Sequence, residues 1–358
     1  MHRFDVRTAQ RTYPCVVERG ILRRVSEFVP SSAGKIFLVT TEDVWTLHGA
    51  EIGGQLGDLR VLFFAGGEVN KRLAALEALA EQMVEYGADR TSALIAFGGG
   101  IVTDIAGFLA SIFMRSIDVL QIPTTLLAQV DAAIGGKTGV NLVSGKNLIG
   151  TFYQPLAVLI DPDVIATLPD REYRAGLFEV LKCGVIRDRP LFDLLANLSD
   201  EVLSRKPDLV DDLIARAVRI KAEIVSADER ESDLRRILNF GHTIGHAIEA
   251  ETQYAQFLHG EAVAWGMLTA TRLAELLGML NSDNAGEVRR VICRYGPLPP
   301  AKHLSPDRLI ERLAADKKTL QGKIHFVLPT AIGEVKIISG IDVGILRQAI
   351  AASLQELS

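Results

Sequence analysis

Residues 93–123 read ALIAFGGGIVTDIAGFLASIFMRSIDVLQIP, and this stretch decides the fold. An apolar run at 93–100 ends in three glycines, a helical pattern follows at 102–114, and a second apolar run occupies 117–123. Apolar runs that alternate with helical segments are typical of parallel strands whose connecting helices cover the sheet. The stretch therefore predicts an α/β domain.

The same alternation continues on both sides of this stretch and then stops. Strands are expected at 35–40, 61–67 and 156–161, with helices at 43–50 and 70–86 between them. Beyond residue 170 the pattern is helical, apart from a strand pair. Those helices are expected at 171–186, 207–227, 234–252, 259–279 and 283–294, and the two strands at 325–329 and 334–339. We therefore predict an α/β Rossmann-like nucleotide-binding domain at 1–168 and a mainly α-helical domain at 169–358, joined through DPDVIATLPD at 161–170.

The composition excludes several classes of protein. A net charge of −5 over 358 residues argues against a nucleic-acid surface, which usually needs a basic patch. The three cysteines are widely spaced and form no CxxC pair, which favours a reducing, cytoplasmic location. The first ten residues, MHRFDVRTAQ, lack the apolar stretch of a signal peptide, and no apolar run is long enough for a membrane span.

The glycine run at 98–100 is the first candidate site. Glycines at a strand-to-helix turn let the backbone approach a pyrophosphate, although a simple tight turn explains them equally well, and Thr103 breaks the usual GxGxxG pattern. Asp104 either interacts with the helix dipole or holds a ribose or nicotinamide group. In GEVNK, Glu68 and Lys71 either begin a polar helix or contact a ribose or phosphate.

The segment PTTLLAQVDAAIGGKTGVN at 123–141 presents cations on glycine turns. Lys137 follows two glycines, and Lys146 stands in GKNLIG a few residues later, an arrangement that suits phosphate binding. Two threonines are expected to open a helix, with Asp131 beyond it. Arg115 adds a third cation or serves as the charge at a helix C-terminus.

The segment RRILNFGHTIGHAIE carries a polar stripe. Arg235, Asn239, His242 and His246 are spaced at i, i+4, i+7 and i+11, which would align them on one helical face. Such a stripe is unfavourable when buried without partners, so the pattern indicates a ligand or a metal.

Three further segments offer side chains to the same region. His259 begins HGEAVAWGM, and Glu179 with Lys182 stands in EVLK, so two histidines and a carboxylate would make an open metal site. Spacing alone cannot bring them together. Lys221 lies among apolar helix positions, where it either snorkels or meets a buried anion. The DKK run with Lys318 is typical of a solvated charge cluster.

Together these segments resemble the 3-dehydroquinate synthase family, in family order over residues 65–318. The resemblance implies NAD and zinc or cobalt as cofactors, a homodimer, and Glu179, His242 and His259 as metal ligands. It implies that His246 faces the substrate, that Asp131 is a pocket carboxylate and that Arg115 crosses the dimer interface. It assigns the substrate's charged groups and hydroxyls to Lys137, Lys146, Asn147, Lys182, Lys221, Arg235, Asn239 and Lys318. It assigns NAD contacts to Glu68, Lys71, Gly99, Gly100, Asp104, Thr124, Thr125 and Thr167, with Lys137, Lys146 and Asp43 as further candidates.

This chain departs from the family at three positions: Thr103 and Ser116 stand where glycine is common, and Cys183 replaces a frequent tyrosine. The implied reaction converts a phosphorylated seven-carbon sugar acid into a carbocycle, with phosphate elimination and transient oxidation by NAD. Two alternatives are a related cyclase acting on a sugar phosphate without a carboxylate, and an iron-dependent polyol dehydrogenase of similar plan. A binding protein without activity fits the filled site least well.

Overall fold

The computed structural model describes residues 1–315 and 324–355, and the chain divides into two compact units. The first unit comprises Met1–Pro169 and Ile214–Arg230, and the second comprises Asp170–Leu213 and Glu231–Ser358. The long helix at Pro207–Ala227 therefore contributes to both. The sequence pattern gave no sign of this return of the chain, because a helix has the same periodicity in either unit.

The first unit is built on a seven-stranded sheet with the order β1-β2-β9-β6-β5-β3-β4. All neighbouring pairs are parallel except β1 with β2, and β7 and β8 form a separate hairpin. The strands are β1 His2–Arg7, β2 Thr12–Val17, β3 Ile36–Thr40, β4 Leu59–Phe63, β5 Ala93–Gly98, β6 Asp118–Pro123, β7 Lys137–Leu142, β8 Gly145–Phe152 and β9 Val158–Ile160. The helices are α1 Glu42–Gly53, α2 Leu73–Glu85 and α3 Gly100–Ile112.

The five strands expected in this half are confirmed as β3, β4, β5, β6 and β9. Every residue of β5 is buried, and α3 packs on β5 and β6, as a strand covered by helices requires. Because β3 to β6 are parallel, their carboxyl ends share one edge of the sheet. The glycine turn at 98–100 and the threonines after β6 begin at that edge, where ligands bind in folds of this kind.

Two strand pairs were not expected. The β1–β2 pair begins the sheet although most of β1 is exposed, so its short alternation was too weak to recognise. The β7–β8 hairpin contains the two lysine segments that the sequence indicated only as glycine turns. Asp131 was expected beyond a helix, which is wrong, because it lies inside a π-helical turn at Ala128–Ala132.

The second unit consists of helices around α9, with one hairpin of strands. Its helices are α4 Asp170–Arg187, α5 Arg189–Asn197, α6 Ser199–Leu203, α8 His242–Glu251, α9 His259–Leu276, α10 Ser282–Arg294, α11 Pro306–Ala315 and α12 Val343–Gln355, and its strands are β10 His325–Ala331 and β11 Glu334–Ser339. Helix α7, Pro207–Ala227, begins in this unit and continues in the first. Helix α9 packs against α4, α8, α10 and α12, and nearly all its residues are buried. The strand pair is confirmed, whereas α5, α6, α11 and α12 were not expected.

The expected single helix over 234–252 is wrong. Residues Leu234–Asn239 form a 3₁₀ segment, Gly241 has φ +81°, and α8 starts only at His242. A Cβ on Gly241 would lie 2.7 Å from the Val263 carbonyl oxygen, so the left-handed turn lets the chain pass close to α9. Arg235 and Asn239 therefore precede the break, and only His242 and His246 share a face of α8.

Among the described helices, none is both long enough and apolar enough to cross a membrane.

Candidate active site

The glycine turn of the first unit lies against the segment that follows β6. A Cβ on Gly99 would lie 3.1 Å from Thr125 Cγ2, and one on Gly100 would lie 3.1 Å from the Ala132 side chain. The turn therefore needs small residues for packing as well as for ligand approach. Thr103 is tolerated one turn into α3 because it is buried and its hydroxyl donates to the Gly100 carbonyl at 2.9 Å.

Lys71 joins the turn region to the β7–β8 hairpin. Its Nζ donates to Asp104 Oδ2 at 2.5 Å and to Asn147 Oδ1 at 2.6 Å, and only 3% of the residue is exposed. Burial raises the pKa of the Asp104 carboxyl, whereas the neighbouring Lys71 ammonium acts in the opposite direction. The structure thus brings three predicted site residues into one hydrogen-bonded group.

A second group surrounds Glu68. Its Oε1 accepts a hydrogen bond from Asn141 Nδ2 at 2.8 Å and lies 3.6 Å from Lys146 Nζ. Asn141 Oδ1 in turn accepts from the backbone N–H of Asn147, whose φ is +53°. The sequence reasoning missed Asn141, although it ends the quoted GGKTGVN string; an asparagine in a strand carries no signal of its own.

Lys221, which is buried, pairs with the partly exposed Asp131 within the first unit. Lys221 is 6% exposed, and its Nζ donates to Asp131 Oδ1 at 2.5 Å and to the Asp131 carbonyl at 2.6 Å. Lys221 therefore pairs with an anion, although that anion, the Asp131 carboxylate, is only partly buried. Thr167, another expected site residue, shares a hydrogen bond of 2.9 Å with His48 Nε2.

The other predicted residues of this unit include three that are exposed and one that is buried. Lys137 is exposed at the start of β7, Arg115 is exposed with φ +75°, and Asp43 is exposed in the first turn of α1. Thr124 is buried directly after β6. Lys318 lies outside the described residues.

The second unit brings Glu179, His242 and His259 together from three different helices. Glu179 is 1% exposed on α4, His242 begins α8 and His259 begins α9. The Nε2 atoms of both histidines lie 3.7 Å from Glu179 Oε1. Neither carboxylate oxygen of Glu179 accepts a hydrogen bond from residues 1–315 or 324–355, although Lys182 Nζ forms an ion pair with Oε2 at 2.5 Å.

Three close helix contacts make this cluster possible. A Cβ on Gly260 would lie 1.9 Å from the Ala175 carbonyl of α4, and one on Gly266 would lie 1.8 Å from the Gly241 carbonyl. A Cβ on Gly245 would lie 3.0 Å from the Ala262 carbonyl. Glycine at these places lets α4 and α8 approach α9 far more closely than larger residues would allow.

The arrangement fits a divalent metal. Ligand atoms around a tetrahedral zinc ion at about 2.0–2.2 Å lie about 3.3–3.6 Å apart, close to the 3.7 Å measured between each histidine nitrogen and Glu179. Two imidazoles and one carboxylate leave coordination positions open for a substrate. A second group with ligand atoms in mutual reach, His246, Glu249 and His259, shares His259 with the first.

Other predicted polar residues of the second unit are also buried or hydrogen-bonded. Lys182 is 1% exposed and Arg235 is 2% exposed, which is uncommon for cationic residues. Asn239 Nδ2 donates to Glu231 Oε1 at 2.5 Å. Glu231, like Glu249, was missed by the sequence reasoning.

Comparison with known proteins gives matches over the whole chain. Models of the 3-dehydroquinate synthase N-terminal and C-terminal regions match residues 61–175 and 176–319. A protein of Solibacter usitatus named 3-dehydroquinate synthase is 57% identical over 99% of this chain and 100% of its own length.

Two similar solved structures contain both NAD⁺ and a divalent metal ion. A 2-deoxy-scyllo-inosose synthase complexed with carbaglucose-6-phosphate, NAD⁺ and Co²⁺ superposes with a TM-score of 0.87 at 26% identity, covering 98% of this chain and 99% of its own. A 2-epi-5-epi-valiolone synthase from Streptomyces hygroscopicus with NAD⁺ and Zn²⁺ bound gives a TM-score of 0.86 at 29% identity, covering 97% and 98%.

Proposed function

The chain belongs to the 3-dehydroquinate synthase family, and from this we propose that it converts 3-deoxy-D-arabino-heptulosonate 7-phosphate into 3-dehydroquinate and phosphate. The observation that carries the proposal is 57% identity along the whole chain to a protein of that name. The buried cluster of Glu179, His242 and His259 supports it chemically, because the reaction needs a Lewis acid at the substrate's hydroxyls.

We propose NAD as the cofactor of the first unit. The Gly99–Gly100 turn lies before α3, where backbone N–H groups and the helix dipole favour a pyrophosphate. Lys71 holds the Asp104 and Asn147 side chains in place, and Glu68 offers a carboxylate suited to ribose hydroxyls. When bound, NAD supplies a reversible acceptor for a hydride, so the reaction has no net redox change.

Glu179, His242 and His259 would hold zinc or cobalt, which when bound polarises substrate hydroxyl oxygens as a Lewis acid. Each histidine can present Nε2 while its Nδ1 is hydrogen-bonded elsewhere, and Lys182 balances the Glu179 charge. We assign His246 to the substrate instead of the metal, so that three protein ligands leave room for two substrate oxygens.

The cationic residues are proposed to bind the two anionic groups of the substrate. The substrate carries a phosphate and a carboxylate, and charge-assisted hydrogen bonds from lysine or arginine are the strongest way to bind them. We propose this role for the lysines and arginines predicted from the sequence, in a protein whose net charge of −5 would otherwise repel the substrate. The cations are Lys137, Lys146, Lys182, Lys221, Arg235 and Lys318, with Arg115. Asn147 and Asn239 are proposed to bind the substrate's hydroxyls, and Asp131 is proposed as a pocket carboxylate.

His246 is the proposed proton donor for the departing phosphate. Its ring lies 5.4 Å from that of His242 and 5.9 Å from that of His259, measured between centroids. These distances place His246 beside the proposed ligands, and a histidine there can donate a proton to a substrate oxygen. The further NAD contacts proposed are Thr124, Thr125 and Thr167, with Lys137, Lys146 and Asp43 as additional candidates.

We also propose a cytoplasmic homodimer. Apolar side chains are exposed around the end of α3 and on β8, namely Ile112, Met114, Leu148 and Phe152. The Thr151 hydroxyl donates to Ser111 Oγ at 2.8 Å, which holds β8 beside the end of α3. An exposed apolar group of this kind beside Arg115 suits a second copy of the chain. The proposed location rests on the wide spacing of the cysteines.

Phosphate release tests the function. The purified protein with zinc and catalytic NAD should release phosphate from 3-deoxy-D-arabino-heptulosonate 7-phosphate far faster than from sedoheptulose 7-phosphate, which lacks the carboxylate. The reverse preference would assign the chain to another cyclase reaction.

A further inference from the structure

Glu249 is a buried carboxylate on the histidine face of α8. His242, His246 and Glu249 are spaced at four and three residues, so all three side chains lie along the same side of the helix. Glu249 is only 2% exposed. A carboxylate in such a position is unfavourable without a charged or hydrogen-bonding partner, so its presence calls for a chemical reason.

His259 lies between two carboxylates, one at each ring nitrogen. Its Nε2 is 3.7 Å from Glu179 Oε1, and its Nδ1 is 3.4 Å from Glu249 Oε2, at the long end of hydrogen-bonding distances. A neutral imidazole carries one N–H. When Nδ1–H donates to Glu249, the lone pair of Nε2 is directed toward Glu179, where a metal would be bound.

His242 is arranged in the same way with a different acceptor. Its Nδ1 lies 3.2 Å from the Phe240 carbonyl oxygen, and its Nε2 is 3.7 Å from Glu179 Oε1. Both histidines therefore have an oxygen acceptor at Nδ1. The Nε2 atoms of both lie near the same carboxylate oxygen of Glu179. The acceptor is a neutral backbone carbonyl for His242 and a carboxylate for His259, and a carboxylate is the stronger type of acceptor at equal length.

We propose that Glu249 is a positioning residue that fixes the tautomer and ring orientation of His259 for metal binding. The inference rests on the proposed function, because it concerns the metal held by Glu179, His242 and His259. Carboxylates that accept the second N–H of a metal-binding histidine typically change metal affinity 10–100-fold when replaced. The rival role is direct ligation, since Glu249 also belongs to the group with His246 and His259.

The test compares Glu249→Gln and Glu249→Ala with Glu251→Gln as a matched control. Glu251 lies two residues further along α8 and pairs with Arg308 and Arg312, so its replacement removes a charge from the same helix outside the cluster. Zinc affinity of the metal-free proteins is measured by chelator competition, and zinc stoichiometry at saturation by elemental analysis. Visible absorption of the Co²⁺-loaded proteins reports ligand geometry.

We expect Glu249→Ala to bind one zinc per chain with an affinity reduced about 10–100-fold and an altered cobalt spectrum. Glu249→Gln, which keeps the shape and one acceptor oxygen, should fall between this variant and the wild type, and Glu251→Gln should bind zinc like the wild type. The Gln variant also keeps the test decisive if the Ala variant does not fold.

Two results would overturn the inference and leave the proposed function intact. Wild-type zinc affinity in both Glu249 variants would remove any role in positioning, and a stoichiometry near zero at saturating zinc would make Glu249 a ligand. A wild-type protein that binds no more zinc than His242→Ala would instead overturn the proposed metal site itself.

Discussion

Gly260→Ala tests whether close helix packing builds the metal cluster. The added Cβ would lie 1.9 Å from the Ala175 carbonyl oxygen, 1.5 Å nearer than the 3.4 Å at which ordinary contact begins. Because the obstructing atoms belong to the backbone of α4, no side chain can rotate away. The N-terminal end of α9 must therefore move from α4. Glu179 is one turn along α4 from Ala175, and His259 is adjacent to Gly260, so the movement separates two proposed ligands.

The expected change in the free energy of unfolding follows from two opposing effects. Overpacking of a tight contact costs about 1–3 kcal/mol, and alanine gains about 0.5–1 kcal/mol over glycine within a helix. We expect a net loss of about 1–2 kcal/mol in the free energy of unfolding of the metal-free protein. If strain of that size is borne by the metal site, zinc binding should weaken by about 5–30-fold, since each tenfold corresponds to about 1.4 kcal/mol.

Gly286→Ala is the matched control. Gly286 lies inside α10, and nothing is within 4 Å of the position of its added Cβ. The same substitution there should raise the free energy of unfolding by about 0.5–1 kcal/mol and leave zinc affinity unchanged. Denaturant unfolding and chelator competition measure both quantities. If Gly260→Ala were as stable as Gly286→Ala with wild-type zinc affinity, our account of the helix contacts would be wrong.

Three more predictions test other parts of the molecule. His242→Ala should lose most of its zinc and all useful activity, whereas His246→Ala should keep nearly one zinc per chain and lose much activity; elemental analysis showing the opposite pattern would reverse our assignment. Ser116→Gly should raise the free energy of unfolding by about 1 kcal/mol, because Ser116 has φ +112°, a region that favours glycine; a lower denaturation midpoint would contradict this. Lys137→Ala should lower kcat/KM by about 10–150-fold, equivalent to about 1.5–3 kcal/mol, with little change in zinc affinity, since it removes a charge-assisted contact to the substrate; unchanged kinetics would place Lys137 outside the site.

The strands of the first unit could be predicted because their chemistry is local. Buried parallel strands are short apolar runs that end at glycine or proline, and β5 shows this over six consecutive buried residues. The exposed β1 and β8 have no such run, because pairing with a neighbour, and not burial, fixes them as strands. Long-range pairing leaves little trace in a single sequence.

The break at Gly241 shows a second limit. Periodicity favoured one helix over 234–252, and a single glycine does not end a helical pattern by itself. What ends it is the close approach of α9, whose residues lie more than twenty positions further along the chain. The prediction that His242 and His246 share one helical face is still correct, because both residues lie within α8.

Among the site residues, chemistry was easier to predict than proximity. A lysine among apolar helix positions left two alternatives, snorkelling or a buried anion, and the structure pairs Lys221 with the partly buried Asp131 carboxylate. Glu179, His242 and His259 were brought together only by family resemblance, since they stand on three helices. Glu249 had a detectable signal, because it follows His246 by three residues on the same helical face. Weighing that spacing would have found it.

Recycling of NAD is the most direct test of the central claim. Phosphate release and NADH absorbance should be followed together, with the zinc-loaded protein, a trace of NAD and excess 3-deoxy-D-arabino-heptulosonate 7-phosphate. We predict many phosphate molecules released per NAD and no steady accumulation of NADH, because the hydride returns to the same substrate. One NADH formed for each substrate consumed would contradict the account and indicate a dehydrogenase.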